Sequence, residues 1–261
     1  MTIKRTYVGQ ASFDLAGRAA LVTGGNGGIG LSMALGLQKA GARLVIAGRN
    51  ANKGAEALSV LNGGEAHFIT SDLASAENCS ALVESASKLL GNLDILVNNA
   101  GITMRKPPET LTHEEWDRVL RTNLTSAFLC SQAVYPLMKA AGGGKIINIG
   151  SMLSIFGAPF AAAYAASKGG IVQLTKSLAT AWAKDGIQVN AILPGWIDTE
   201  MGASARAQVE GLHERVIART PAGRWGAAAD FEGAAVFLAS PASDFITGVA
   251  LPIDGGYSVA G

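Results

Sequence analysis

Tyr164 and Lys168 stand four residues apart in "YAASK", at the start of an alanine-rich run that reads as a helix. Residues at that spacing share one helical face, so a phenol and an ammonium point into the same space. A free tyrosine has a pKa of about 10, too high for a good base near neutrality. A neighbouring cation favours the phenolate and lowers that value. The pair is therefore suited to exchanging a proton with an alcohol or a carbonyl oxygen. Ser151 follows the apolar run "KIINIG" and ends a predicted strand, where its hydroxyl can orient a reacting oxygen and stabilise developing charge. Taken singly, Tyr164 also reads as a packing aromatic, Lys168 as a solvated cation and Ser151 as a turn residue.

A second constellation is glycine-rich. "TGGNGGIG" covers Thr23 to Gly30, with Gly24, three residues, Gly28, one residue, Gly30. It follows a predicted strand and opens a predicted helix. Glycines let the chain turn sharply and approach a diphosphate, and the helix N-terminus presents unpaired N–H groups to the anion. The next predicted strand ends in "VIAGRN", with Gly48 and Arg49 where an acidic residue would hold the ribose hydroxyls of NAD. A carboxylate repels a 2′-phosphate and a guanidinium grips it. The missing acid and Arg49 put NADP(H) ahead of NAD(H), with a solvated or adenine-stacking Arg49 as the alternative.

The elements that must position these residues follow a repeating order of apolar strand, turn and helix. Strands are predicted at "AALVTGG", "RLVIAGR", "AHFITSD", "LDILVNNAG", "GKIINIGS", "IQVNAILPG" and near "GVALPIDGG". Helices are predicted from about Gly28 to Ala40, through "AEALSVL", through "ENCSALVESASKLL", as one long helix from His113 to Ala140, and from Tyr164 to Lys184. Continuous apolar strands alternating with helices imply a parallel sheet covered on both faces. Right-handed crossovers make it an α/β doubly wound fold of the Rossmann kind, with a mostly parallel central sheet. No linker or repeat divides residues 1–261, so one domain is expected. The strandless stretch at about 195–226 is expected to be a helical insertion over the sheet edge, a lid or binding loop.

Composition narrows the function classes. Of 261 residues, 49% are hydrophobic, which supports a sizeable core, and 21 basic residues balance 20 acidic ones. That balance gives no electrostatic reason to expect nucleic acid or an anionic membrane as partner. Two cysteines, Cys79 and Cys130, make a disulfide framework unexpected and point to a reducing cytoplasm. The three histidines are scattered, and no Cys/His spacing resembles a metal site. "MTIKRTYVGQASFDLAGR" reads as neither a signal peptide nor a membrane span.

These motifs, in this order, resemble the short-chain dehydrogenase/reductase family across essentially the whole chain. "TGGNGGIG" looks like its cofactor turn, and "NNAG" from Asn98 to Gly101 like its fourth-strand signature. Asn123, Ser151, Tyr164 and Lys168 match its catalytic tetrad, and "PGWIDTEM" matches the segment that closes on the nicotinamide. The resemblance implies an oxidoreductase that moves a hydride between NADP(H) and a secondary alcohol or ketone. It implies cofactor contacts from Gly24, Asn26, Gly27, Gly28, Ile29 and Gly30, with Asp72 and Leu73 near adenine. Asn99, Ala100 and Gly101 would line the ribose side, and Pro194, Gly195, Ile197 and Thr199 the carboxamide side. Lys168 would also hold the nicotinamide ribose, and Asn123 a water in a proton relay. Gly27 stands where the family often has a basic residue, which leaves Arg49 as the main 2′-phosphate candidate. Homotetramers are common in the family.

The middle and C-terminal stretches resemble the sugar-acid dehydrogenases of this family, of the 2-deoxy-gluconate 3-dehydrogenase and gluconate 5-dehydrogenase types. Arg105, in "NNAGITMRKP", is a candidate for a substrate carboxylate, with a solvated arginine as the alternative. Met104, Met152, Phe160, Trp196 and Met201 are candidates for an apolar pocket. Such a pocket would suit a 3-oxoacyl thioester, with Arg206, Arg215, Arg219 and Arg224 as a docking patch for an acyl carrier protein. A cofactor-sensing or scaffolding protein without catalysis is the reading of another class.

Overall fold

The computed structural model describes residues 13–260. Most of the amino-terminal stretch read above as neither signal nor span lies outside the described residues. Seven strands form one sheet: β1 (Ala19–Thr23), β2 (Arg43–Gly48), β3 (Ala66–Thr70), β4 (Ile95–Asn98), β5 (Gly144–Ile149), β6 (Ile187–Pro194) and β7 (Ala250–Ile253). Their order is β3-β2-β1-β4-β5-β6-β7, and every pairing is parallel. The expected doubly wound sheet is present, and wholly rather than mostly parallel. The order reverses between β1 and β4, which opens a crevice at the carboxyl ends of those strands.

Why the strands read as unbroken apolar runs is visible in β1. Ala20 and Val22 join the apolar cluster on one face, together with α1 (Gly28–Lys39) and α9 (Glu232–Ala239). Ala19 and Leu21 join the cluster on the other face, with α3 (Ala76–Leu90), α5 (Ser126–Ala140) and α6 (Ala162–Trp182). A strand's side chains alternate between faces, and both faces here are covered, so every position is apolar. Polar caps start the helices between the strands. Asn50 accepts from the Lys53 N–H at the start of α2 (Ala51–Val60), and Thr112 forms a capping box with Glu115 at α4 (His113–Leu120).

One predicted element comes out differently. The single long helix expected over His113–Ala140 is α4 and α5 joined by a π-turn at Arg121–Thr125. The Asn123 side chain in that turn bonds the backbone of Ile102 and the Ser167 hydroxyl, and the Ser126 hydroxyl donates to the Thr122 carbonyl. These tertiary bonds accompany a local widening of the helix, a distortion that recurs at functional sites. After the insertion the run "EGAAVFLA" forms helix α9. It lies so close to α1 that a Cβ on Gly36 would stand 2.9 Å from the Glu232 Cβ.

A buried polar network fixes the right half of the sheet to its helices. The Asn98 amide donates to Asn148 Oδ1, to the Ser131 hydroxyl and to the Ala127 carbonyl, and the Asn148 amide donates to the Thr175 hydroxyl. This ties β4 and β5 to α5 and α6, the helix that carries Tyr164 and Lys168. On the left half, Asn99 Nδ2 donates to the carbonyls of Thr23 and Gly24, both at 3.0 Å. A Cβ on Gly30 would sit 2.3 Å from the Gly24 carbonyl oxygen and 2.4 Å from Asn99 Nδ2. Gly30→Ala is therefore expected to destabilise the fold by about 1–3 kcal/mol through overpacking, read as a lowered urea midpoint. An unchanged midpoint would show that the turn has slack.

Candidate active site

The crevice at the β1–β4 switch is a cleft of about 460 Å³. Its floor is the turn between β1 and α1. Gly24 and Gly28 hold positive φ values of 63° and 52°, conformations that side chains rarely adopt. Nothing lies within 4 Å of where a Cβ on Gly27 would be, and no side chain caps α1 there. The first-turn N–H groups of α1 have no intrahelical partners, so this end of the helix is an anion cradle. The uncapped N-terminus and the open face at Gly27 fit the diphosphate of a dinucleotide.

The adenosine end is framed by the ends of β2 and β3. Gly48, Arg49, Ser71, Asp72 and Leu73 line the cleft there. Asn26 packs against Gly48 so tightly that a Cβ would approach its amide to 2.5 Å. Arg49 is exposed and has no hydrogen-bond or ion-pair partner among the described residues. Lys53 and Glu200 are among the lining residues that a reading of the sequence alone does not assign. Their one local signal is that Lys53 follows Arg49 by four positions, on the first turn of α2.

The opposite wall carries the proton chemistry. Ser151 stands two residues after the end of β5 and caps a single 3₁₀ turn, where its hydroxyl accepts from the Leu153 N–H at 3.1 Å. Ser154, in the same turn, donates to the Lys168 carbonyl at 2.7 Å and so docks the turn on α6. Tyr164 and Lys168 both face the cleft, with the ammonium 5.6 Å from the phenol ring centroid. Asn123 is the one tetrad residue that does not line the cleft. It lies behind the wall, its amide taken up by Ile102 and Ser167.

The electrostatics correct one expectation. Lys168 donates to the Ile149 carbonyl at 2.7 Å, and burial pushes its pKa down to about 8. Burial also raises the Tyr164 pKa, opposed first by the nearby Ser151 hydroxyl and then by the charge of Arg105. The net shift of Tyr164 is thus upward, where the four-residue spacing suggested a lowered value, and the cation that opposes the rise is Arg105.

Several lid residues close the cleft. The chain leaves β6 through Pro194–Ile197 into α7 (Glu200–Gln208) and α8 (Leu212–Arg219). Thr199 caps α7, and its methyl would lie 3.4 Å from a Cβ on Gly28, so this segment sits against the glycine turn. Met152, Phe160, Trp196 and Met201 line the cleft as expected, and Met104 does not. Arg105 bonds the Met201 carbonyl at 3.1 Å and the Ser204 hydroxyl at 3.4 Å, which places its guanidinium between α7 and Tyr164.

Comparison with known proteins agrees with this geometry. Residues 24–258 match a family model described as "Enoyl-(Acyl carrier protein) reductase". The gluconate 5-dehydrogenase of Gluconobacter oxydans (strain 621H) is 41% identical over 254 residues, covering 95% of this chain and 97% of the relative. The chain belongs to the short-chain dehydrogenase/reductase family. Among solved members, a gluconate 5-dehydrogenase from Burkholderia cenocepacia J2315 in complex with NADP and tartrate superposes with a TM-score of 0.90. It is 42% identical, over 96% of this chain and 98% of that one. A short-chain type dehydrogenase/reductase from Mycobacterium marinum has a TM-score of 0.89 at 34% identity, over 94% and 97% of the two chains.

In this family member the arginines of the insertion are mostly engaged. Arg206 pairs with Asp198 and lies over the Trp225 ring, and Arg224 pairs with Asp230. Arg219 packs between Phe156 and Tyr257. Among the described residues no group of three or more His, Cys, Asp or Glu is placed to hold a metal ion. No described helix is long and apolar enough to cross a membrane.

The lowered Lys168 pKa makes a pH prediction. Between about pH 8 and the unfolded lysine value of about 10.4, the unfolded chain binds more protons at this position than the folded chain. Its contribution to stability therefore rises with pH across that window. The unfolding free energy of the wild type relative to Lys168→Met should increase by on the order of 2 kcal/mol between pH 7 and 10. Parallel denaturation curves at the two pH values would show that Lys168 titrates normally.

Proposed function

We propose that this chain is an NADP(H)-dependent oxidoreductase that interconverts a secondary alcohol and a ketone on a sugar acid, acting as one catalytic domain. The observation that carries the reading is the meeting of Ser151, Tyr164 and Arg105 in a cleft whose floor is an anion-binding glycine turn. A bound nicotinamide supplies or accepts the hydride. Tyr164 gives its proton to the carbonyl oxygen in reduction and takes it back in oxidation. Its raised pKa suits it to the acid role in the free protein, and the Ser151 hydrogen bond stabilises the phenolate that results. Ser151 also orients the reacting oxygen. Lys168 is placed to bond the nicotinamide ribose, and Asn123 holds the loop after β4 against α6 while serving the proton relay. Gly24 to Gly30, Arg49, Asp72, Leu73, Asn99 to Gly101 and the segment Pro194 to Thr199 hold the cofactor.

Arg105 supports the sugar-acid reading. Its guanidinium faces the cleft beside Tyr164, where a substrate carboxylate would bond it. The relatives named gluconate 5-dehydrogenase point the same way, as does the one holding tartrate, a hydroxy acid. NADP in that structure agrees with a partnerless Arg49. A 3-oxoacyl thioester reductase is the second reading, and the description of the matching family model favours it. Against it, three of the four arginines proposed as a carrier-protein patch are engaged within the chain. A cytoplasmic homotetramer completes the proposal. Both cysteines are free and buried, and Phe128 and Leu137 of α5 with Phe245 and Val249 beside β7 are exposed apolar groups available to neighbours.

Nicotinamide absorbance with a panel of ketones, aldehydes, alcohols and keto-sugar acids, against NADPH and NADH, tests activity and cofactor together. Turnover of keto-sugar acids with NADPH is expected, and none with any carbonyl would revive a non-catalytic role. Tyr164→Phe should lower kcat by about 10²-fold or more and leave the NADP⁺ dissociation constant within about twofold. Unchanged turnover would remove Tyr164 from the chemistry. Arg105→Ala should raise KM for the acid roughly tenfold and leave KM for the uncharged polyol analogue unaltered. Equal changes for both would remove the carboxylate contact.

A further inference from the structure

Lys53 and Glu200 form an ion pair across the mouth of the cofactor cleft. The Lys53 ammonium stands 2.5 and 2.6 Å from the two carboxylate oxygens of Glu200. One partner belongs to the first turn of α2, beside Arg49, and the other is the first residue of α7, on the segment that covers the glycine turn. Both line the cleft. We propose that Lys53 is a second ligand of the cofactor's 2′-phosphate, held by Glu200 until the phosphate displaces it. This inference rests on the NADP reading above.

Charge balance at the cleft mouth favours the exchange. A phosphate monoester carries between one and two negative charges near neutrality. Arg49 offers one positive charge with no partner among the described residues. Lys53 and Glu200 together offer none. A phosphate held by Arg49 alone would keep excess negative charge and face the Glu200 carboxylate as well. Transfer of Lys53 from Glu200 to the phosphate compensates the phosphate's excess charge and leaves Glu200 as the unpaired carboxylate. NAD has no group at this position to drive the exchange, so the pair would persist with NAD bound.

Local structure makes the exchange feasible. The Asn50 side chain accepts from the Lys53 N–H at 3.1 Å and fixes the turn on which Lys53 stands. Only the flexible side chain has to move. The ion pair is exposed on both sides, at 42% for Lys53 and 85% for Glu200, and such pairs are weak. Glu200 is also well placed once released. It occupies the first turn of α7, where the helix N-terminus stabilises a carboxylate. Choice of cofactor would then reside in three residues, Arg49, Lys53 and Glu200, of which Glu200 opposes NADP.

Calorimetric titration of the full chain with 2′,5′-ADP, 5′-AMP, NADP⁺ and NAD⁺ separates the phosphate from the rest of the ligand. Lys53→Met should weaken 2′,5′-ADP and NADP⁺ about tenfold and leave 5′-AMP and NAD⁺ within about twofold. Glu200→Gln should tighten NADP⁺ about threefold and leave NAD⁺ unaltered. The proposal is overturned if Lys53→Met spares 2′,5′-ADP while Arg49→Ala weakens it, a result that leaves the NADP reading standing. Equal weakening of all four ligands by Lys53→Met, or weaker NADP⁺ binding in Glu200→Gln, also overturns it. A wild type that binds 2′,5′-ADP no better than 5′-AMP, and NADP⁺ no better than NAD⁺, removes the NADP reading itself.

Discussion

Reversal of strand order between β1 and β4 is the constraint on which the molecule depends. The chain leaves β1 toward one face of the sheet and leaves β4 toward the other, so the space between their carboxyl ends cannot be filled by either connection. Keeping that space narrow requires the glycine turn and the end of β4 to touch. Asn99 bonds two carbonyls of the turn, and Gly30 meets both partners at distances no side chain tolerates. The cleft is thus a consequence of topology, and its shape a consequence of one amide and one glycine.

Burial governs the chemistry of the cleft more than proximity does. Lys168 is 4% exposed and has a single carbonyl as hydrogen-bond partner, so desolvation outweighs what that partner returns. Burial likewise pushes Tyr164 toward the protonated form. What moderates the phenol is a serine placed by β5 and an arginine placed by the loop after β4. A proton donor in the free protein is the outcome, in a site also shaped to favour the phenolate once anionic charge develops.

The segment after β6 joins both ends of the cleft. Thr199 lies against Gly28, Arg105 reaches back to Met201 and Ser204, and Glu200 crosses to Lys53. Its own small core, built on Leu212, Val216 and Trp225, is separate from the two clusters that flank the sheet. Cofactor recognition and substrate enclosure therefore share one element.

Much of this was legible in the sequence, for physical reasons. A parallel strand covered on both faces must be apolar at every position, so "AALVT" and "KIINI" announce themselves. A turn that admits no Cβ demands glycine, so "TGGNGGIG" marks the cleft floor. Tyr164 and Lys168 share a face because helical geometry is local. The remainder was decided by tertiary structure. The π-turn at Arg121–Thr125 accompanies bonds from Asn123 to residues 21 and 44 positions away, and no local propensity encodes it. The Lys53–Glu200 pair spans 147 positions. The upward shift of Tyr164 was invisible for a related reason: spacing fixes which groups are near each other, while desolvation, set by everything packed around them, fixes the direction in which each pKa moves.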